Sequence, residues 1–178
     1  MRILFIIPAI FQALTTFSQD SFIENENHLA EFNLNPNNYP ELYYEIQIAY
    51  LNKNTDLTLF FGPVVREYID AFLSHRSDQL QYTYTLSDEY FPLFERYLKE
   101  YGIPSEVKYL PVVESGLSTV ACSPSYARGL WQFKKRTGIY YGLTINSFVD
   151  EREDPELSTI AACKYLKDLY DQFHRWRY

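Results

Sequence analysis

Histidine and cysteine are scarce in this chain, and their scarcity removes most metal chemistry at the outset. The histidines, His28, His75 and His174, are scattered, and Cys122 and Cys163 are the only cysteines. Their separation matches no zinc motif, and two thiols are too few for a disulfide framework. A metal centre would have to be assembled largely from carboxylates, so neither a metal nor a cofactor is expected. Excess positive charge is lacking too. Lys and Arg total 16 against 23 Asp and Glu, a net charge of -7, which argues against nucleic acid as a partner because neutralising phosphates supplies most of that affinity. No apolar run is long enough to span a bilayer comfortably. No strand-like alternation competes with the helical periodicities, and no internal repeat is present. With 47% hydrophobic and 22% charged residues, the composition suits a folded globular chain rather than a disordered tail or a fibrous rod.

Aromatic residues, by contrast, are plentiful. Tyr 17 and Phe 13 bring the aromatic share to 18%; large rings with polar tips suit a compact core first and a groove that stacks on sugar faces second. The 178 residues leave room for one core once a targeting segment is set aside. Met1 and Arg2 precede an apolar stretch from Ile3 to Phe11, and Thr16-Phe17-Ser18 puts small residues around a cleavage point. Residues 1–18 therefore read as a signal peptide, and export to the periplasm is the expectation. Residues 19–41, rich in Asn and acidic side chains, read as a polar tether.

Residues 42–86 read as an N-terminal helical extension. Tyr43–Leu51 is a short helix candidate; Leu57, Leu59, Phe60 and Phe61 form an extended apolar stretch ended by Gly62-Pro63; Val64, Val65, Tyr68, Ile69, Phe72 and Leu73 recur at helical spacing. The domain proper is expected over 87–178. Ser87 is positioned to cap a helix from Asp88 to Tyr101 whose apolar face is Phe91, Phe94, Tyr97, Leu98 and Tyr101. Gly102 stops it. Pro104 fits the first position of a central helix that is apolar nearly all round through Val107, Tyr109, Leu110, Val112 and Val113. Asp154-Pro155 opens a last helix with the face Leu157, Ile160, Ala161, Leu166, Leu169, Tyr170 and Phe173. The expected fold class is all-α.

Glu114 ends the apolar run and is followed by Ser115-Gly116, so a carboxyl stands where a buried helix gives way to a turn. Desolvation disfavours the charged form there, and a carboxylic acid still protonated near neutral pH can donate its proton to a leaving-group oxygen. The residues alone allow another reading, a helix-terminal carboxylate that caps or pairs with a neighbour such as Arg128. On the same footing Ser123 before Pro124 is a turn residue, Gln132 an exposed helix position, and Trp131 and Phe133 are core.

Taken in order, Pro111-Val112-Val113-Glu114-Ser115-Gly116, Ala121, Ser123, Ala127-Arg128-Gly129-Leu130-Trp131-Gln132-Phe133 and Thr137-Gly138 resemble the lytic murein transglycosylases, the membrane-bound type D branch above all. Gly102-Ile103-Pro104 and Lys108-Tyr109-Leu110 extend the match upstream. Tyr141-Gly142-Leu143, Asp150-Glu151-Arg152, Asp154-Pro155, Ser158-Thr159, Ala161-Ala162 and Tyr165-Leu166 extend it downstream. The resemblance covers roughly residues 43–176 and rests on several ordered motifs rather than on one short match.

The resemblance implies a lysozyme-like domain acting on the glycan strands of peptidoglycan, with association with the outer membrane or the cell wall. Glu114 would be the single catalytic acid and base, cleaving the β-1,4 bond between N-acetylmuramic acid and N-acetylglucosamine and leaving a 1,6-anhydromuramyl end. The substrate's own N-acetyl group would supply the internal nucleophile, so no second carboxylate is needed, unlike ordinary retaining glycosidases. Ser123 would help hold the N-acetyl region and Gln132 would contact the glycan. Asp150, Glu151 and Asp154 are read as a structural turn and helix cap.

Three departures from the family pattern stand out. Tyr126 replaces a glycine, so its ring would distort the loop wherever positive φ is required. Lys134 replaces a methionine and, if close, would keep Glu114 ionised. Relatives continue beyond Trp176 into helices with an Ala-Tyr-Asn-Ala-Gly motif whose tyrosine lies near the acid, and no such motif occurs before Tyr178. The C-terminal helices are thus read as missing, with Tyr140, Tyr141 or Tyr178 as stand-ins for the tyrosine. The alternative function is a catalytically impaired glycan-binding or scaffold protein. An oxidising compartment would permit a Cys122–Cys163 disulfide if the Cα atoms came within about 7 Å.

Overall fold

The computed structural model describes residues 40–54, 59–75 and 77–173. The signal peptide, the tether up to residue 39, His28, His174, Trp176 and Tyr178 lie outside these. Among the described residues the chain is helical, with isolated β-bridges and no strand, in agreement with the all-α expectation. No helix among them is long and apolar enough to cross a membrane. The chain divides between Ser77 and Asp78 into two compact units.

The first unit contains α1 (Pro40–Asn54) and α2 (Pro63–His75). Helix α1 begins inside the segment read as tether, at Pro40, which suits a first helical position. Ile48 and Leu59 form its small buried cluster, with Phe61 packed against them. Asn52 fixes the extended segment: its amide donates to the Leu59 carbonyl (2.8 Å) and its Oδ1 accepts the Leu59 N–H (2.6 Å). Arg66 lies over the Tyr44 ring, 4.9 Å from its centroid, and pairs with Asp70 one turn along α2.

The second unit contains, from Asp78 on, α3 (Ser77–Glu100), far longer than the helix expected from Asp88. Ser87 is not a cap. It is buried in the helix interior, where its hydroxyl donates to the Tyr84 carbonyl (2.6 Å), the local bond by which serine is accommodated within a helix. The buried stripe runs Thr83, Ser87, Phe94, Leu98; its first two members are polar, which hides the upstream continuation of the periodicity. Pro92 sits inside α3. Gly102 ends the helix at φ 65°, with the Ile103 N–H returned to the Leu98 carbonyl (2.8 Å), a Schellman closure.

The expected single helix after Pro104 is two pieces, a 3₁₀ turn (Ser105–Tyr109) and α4 (Leu110–Ser115). Pro111 lies in the first turn of α4, where its missing N–H is harmless; deeper inside one continuous helix it would break the ladder. The 3₁₀ turn is anchored to α3 by Tyr109 edge-on to Phe91 (5.3 Å), with Lys108 over both rings and paired with Glu95. A loop from Leu117 to Lys134 then leads to α5 (Lys135–Tyr140), and a second loop to α6 (Pro155–Phe173).

Trp131 joins these elements. Its ring meets Phe94 of α3 at 5.3 Å in a T-shaped contact, and its indole N–H donates to Thr159 Oγ1 of α6 (3.0 Å). The residues of α6 that are buried are Ser158, Thr159, Ala161, Ala162, Cys163 and Leu166, whereas Leu157 and Phe173 are 40% and 47% exposed. Ala161 and Leu166 of the expected face are buried, but the rest of the inner face is made of small side chains that let the helix backbone approach closely. Asp154 caps α6, accepting the Leu157 N–H (2.7 Å). At the same end Glu156 takes bonds from Tyr97 and Arg96 of α3. Cys122 is exposed and Cys163 buried, and both are free thiols, so the disulfide considered above is not formed.

Thr159 uses its hydroxyl twice, accepting from Trp131 and donating to the Pro155 carbonyl (2.6 Å). Thr159→Val keeps the shape but orphans the buried indole N–H, and should lower stability by about 1–3 kcal/mol, whereas Thr159→Ser should recover most of it. Chemical denaturation followed by Trp fluorescence checks both.

Candidate active site

Helix α4 delivers Glu114 to the edge of the loop. The helix ends at Gly116, which adopts φ 60°, and Leu117 follows at φ 60° while fully buried. This double left-handed step turns the chain sharply and leaves Glu114 open to solvent on one side. Partial loss of hydration raises the pKa of its carboxyl above the ordinary glutamate range, and desolvation is the single cause. Among the described residues no cation pairs with it. Arg128, the neighbour considered above, instead pairs with Glu153. Lys134 is exposed just before α5 and contributes nothing to the shift, so it does not hold Glu114 ionised as expected for a close cation.

Ser115 links the acid's helix to the loop. Its hydroxyl lies 2.9 Å from the Pro111 carbonyl and 3.0 Å from the Leu130 carbonyl. Gln132 is not on a helix. It occupies a left-handed turn (φ 49°), and its amide nitrogen donates to the carbonyls of Ala121 (3.2 Å) and Gly129 (3.0 Å). Ser123 lies two residues beyond Ala121 in a tight turn, where its Oγ accepts the Ala127 N–H (3.0 Å) and lies 3.1 Å from Ser125 Oγ. Backbone tethers thus gather Glu114, Ser123 and Gln132 into one stretch of structure, while no hydrogen bond joins Glu114 to either of the others.

Tyr126 bears on the departure noted above: its φ is 60°, so the position does require the left-handed backbone that glycine adopts freely. Its ring projects into solvent, 78% exposed, and the loop keeps its shape around a strained residue. Tyr141, one of the candidate stand-ins, faces α6. Burial, with a hydrogen bond to Asp168, pushes its hydroxyl up to about 12, and its ring meets Tyr165 at 5.2 Å.

The residue to which the sequence assigns no role of its own is Arg152. Far from being part of a simple capping turn, it is 5% exposed and grips Asp150 through Nε (2.8 Å) and Nη2 (2.6 Å), while Nη1 donates to the carbonyls of Tyr126 (3.0 Å) and Phe133 (3.1 Å). The arginine holds the Asp150 carboxyl below the usual aspartate range. The available signal is one arginine set among Asp150, Glu151, Glu153 and Asp154. Asp150 and Asp154 are structural as expected, and Glu151 accepts the Thr144 N–H (2.6 Å). No group of acidic, His or Cys side chains among the described residues could hold a metal ion.

Residues 92–178 match the family model of the Transglycosylase SLT domain. The chain carries a transglycosylase SLT domain. Over 109 residues, 61% of this chain, it is 31% identical to membrane-bound lytic murein transglycosylase D of Escherichia coli (strain K12), and equally to the protein of that name from Escherichia coli O6:H1. The chain spans about a quarter (24%) of the length of each of these relatives. The SLT match, with the helical architecture, makes this a lysozyme-like domain.

Gly129 shows how tightly the loop is built. A Cβ placed on it would lie 1.8 Å from the Arg152 carbonyl oxygen, and its φ is 79°. Gly142 has a similar backbone (φ 97°) but open space around it. Gly129→Ala should therefore cost about 3 kcal/mol or more, against about 1–2 kcal/mol for Gly142→Ala, where only backbone strain enters. Paired urea unfolding curves of the two variants test the difference.

Proposed function

We propose that the chain, once exported, acts as a lytic transglycosylase on peptidoglycan, with Glu114 as its acid and base. The observation that carries this reading is Glu114 itself: in an SLT domain, a carboxyl with a raised pKa and no paired cation stands at the end of α4, tied through Ser115 to the loop of Ser123 and Gln132. A protonated Glu114 delivers its proton to the oxygen between N-acetylmuramic acid and N-acetylglucosamine. The neighbouring N-acetyl oxygen attacks the anomeric carbon as that bond breaks. Glu114, now a carboxylate, takes the proton from the muramyl 6-hydroxyl, whose oxygen closes onto the same carbon and yields the 1,6-anhydro end without water. A second carboxylate is unnecessary, consistent with Asp150 and Asp154 being committed to Arg152 and to the α6 cap. Ser123 and Gln132 would hold the glycan, and residues 1–18 would direct export to the periplasm. The domain division proposed is the signal peptide, a tether to about residue 41, a helical extension and the SLT region.

The second reading, glycan binding without efficient turnover, is favoured by one observation, the strained and exposed Tyr126 at a glycine position of the loop. Product analysis separates the two. Incubation with purified peptidoglycan should release anhydro-muropeptides, and Glu114→Gln should abolish that release while leaving the fold, because only the transferable proton is lost. Reducing ends would indicate a hydrolase, and binding without product the second reading.

The raised pKa has two consequences of definite sign. Turnover should decline as pH rises through it, placing the basic limb above the ordinary glutamate range. The folded state binds the Glu114 proton more tightly than the unfolded chain, so ionisation at higher pH costs stability. Glu114→Gln should therefore be slightly more stable than wild type at neutral pH, with the Glu114-specific advantage vanishing below the carboxylate range. Thermal unfolding of both proteins from acid to neutral pH measures it.

A further inference from the structure

We propose that Arg152 is a positioning residue, whose guanidinium fixes the backbone of the loop bearing Ser123 and Gln132 and thereby the glycan-binding face beside Glu114. The inference rests on the reading of that site given under Proposed function. Its geometry is specific. Asp150 binds the guanidinium on two nitrogens, Nε and Nη2, and this orients the third, Nη1, toward the loop. Nη1 then reaches two carbonyls seven residues apart, those of Tyr126 and Phe133.

Both carbonyls adjoin backbone that would not hold its conformation unaided. Tyr126 is itself left-handed at φ 60°, and Phe133 directly follows Gln132 at φ 49°. Side-chained residues persist there only when their surroundings over-determine them. One guanidinium therefore grips the loop beside two of its strained residues, and the first of them, Tyr126, lies within the turn in which the Ser123 hydroxyl accepts the Ala127 N–H. The Arg152 main chain closes the same contact from the other side, since its carbonyl fills the space a side chain at position 129 would need. The helices have ties of their own, Trp131 to Thr159 and Glu156 to Arg96 and Tyr97. The arginine's side-chain bonds beyond Asp150 go to the loop backbone alone. Lysine could not replace it, because a single ammonium cannot bind a carboxylate on two nitrogens while donating to two distant carbonyls.

The test compares Arg152→Lys with Leu166→Ala, which truncates a buried side chain of α6 and leaves every hydrogen bond of Arg152 in place. Four quantities are read in the full chain: the unfolding temperature, amide exchange over residues 121–133 by mass spectrometry, and KM and kcat separately on purified glycan strands. Arg152→Lys should unfold cooperatively yet exchange at least about tenfold faster across the loop, with exchange in α3 and α6 unchanged. Its KM should rise and its kcat/KM fall by about 10²-fold, the scale of a displacement near 1 Å. Leu166→Ala should lose as much unfolding temperature or more, with loop exchange and KM unchanged well below its transition. Loop exchange and KM like wild type in Arg152→Lys, or the same pattern in both variants, would overturn the proposal. Should Arg152→Lys not fold, Asp150→Asn removes the orienting carboxylate and should show the same signs; wild-type loop exchange in that variant would also overturn it. Absence of turnover in the wild type would instead remove the reading of function, and loop exchange would still decide whether Arg152 holds the loop.

Discussion

Between α4 and α5 the backbone passes through the left-handed region at three residues that carry side chains, Leu117, Tyr126 and Gln132. Each such residue costs free energy and reverts unless neighbours hold it. Leu117 is held by complete burial, Gln132 by its own amide bonds to Ala121 and Gly129, and Tyr126 by the bond from Arg152 to its carbonyl. The remaining features of the site follow from keeping this loop in shape. Leu130, beside the buried Trp131, gives its carbonyl to Ser115, and Gly129 must lack a side chain for the Arg152 backbone to lie against it. Strain spread over one loop is thus balanced by contacts drawn from α3, α4 and α6.

The chemistry depends on how acidic side chains are distributed. Asp150 is neutralised by Arg152, Glu153 by Arg128, and Asp154 is turned to the N-terminus of α6. Each carboxylate of this stretch that has a partner is thereby committed to structure. Glu114 lies apart on α4, and its proton affinity is set by lost hydration rather than by a partner. A group tuned by hydration alone responds directly to whatever displaces water from it, so any molecule that covered Glu114 would raise its pKa further.

Much of this is legible in residue order, and the exceptions share a cause. The end of α4 at Ser115-Gly116, the stop at Gly102, the Asp154 cap and the burial of Trp131 and Phe133 are local signals, and they stand where they are expected. Helix α3 begins well upstream of Asp88 because Thr83 and Ser87 occupy its buried stripe, and polar residues there are invisible to a hydrophobic pattern. The inner face of α6 departs from its apolar pattern for the converse reason, since Ser158, Ala161 and Ala162 are buried for their small size while Leu157 faces water. Only the acidic neighbours of Arg152 hint at its role, because its partners Tyr126 and Phe133 are 26 and 19 residues away, and backbone carbonyls leave no mark in a sequence. Gln132 likewise looks helical by its neighbours alone, because its left-handed turn depends on bonds that only the folded loop supplies.

The two cysteines differ more than their number suggests. Cys163 is wholly enclosed on the inner face of α6, and burial pushes its thiol up to about 12, so almost none of it is thiolate at neutral pH and reagents cannot reach it. Cys122 is exposed, one residue from Ser123 and bridged to Arg128. The natural chain therefore offers a selective attachment point: a thiol-reactive fluorophore or spin label would go to Cys122 in the folded protein, at the strained loop itself, and would report its motions without any engineered substitution.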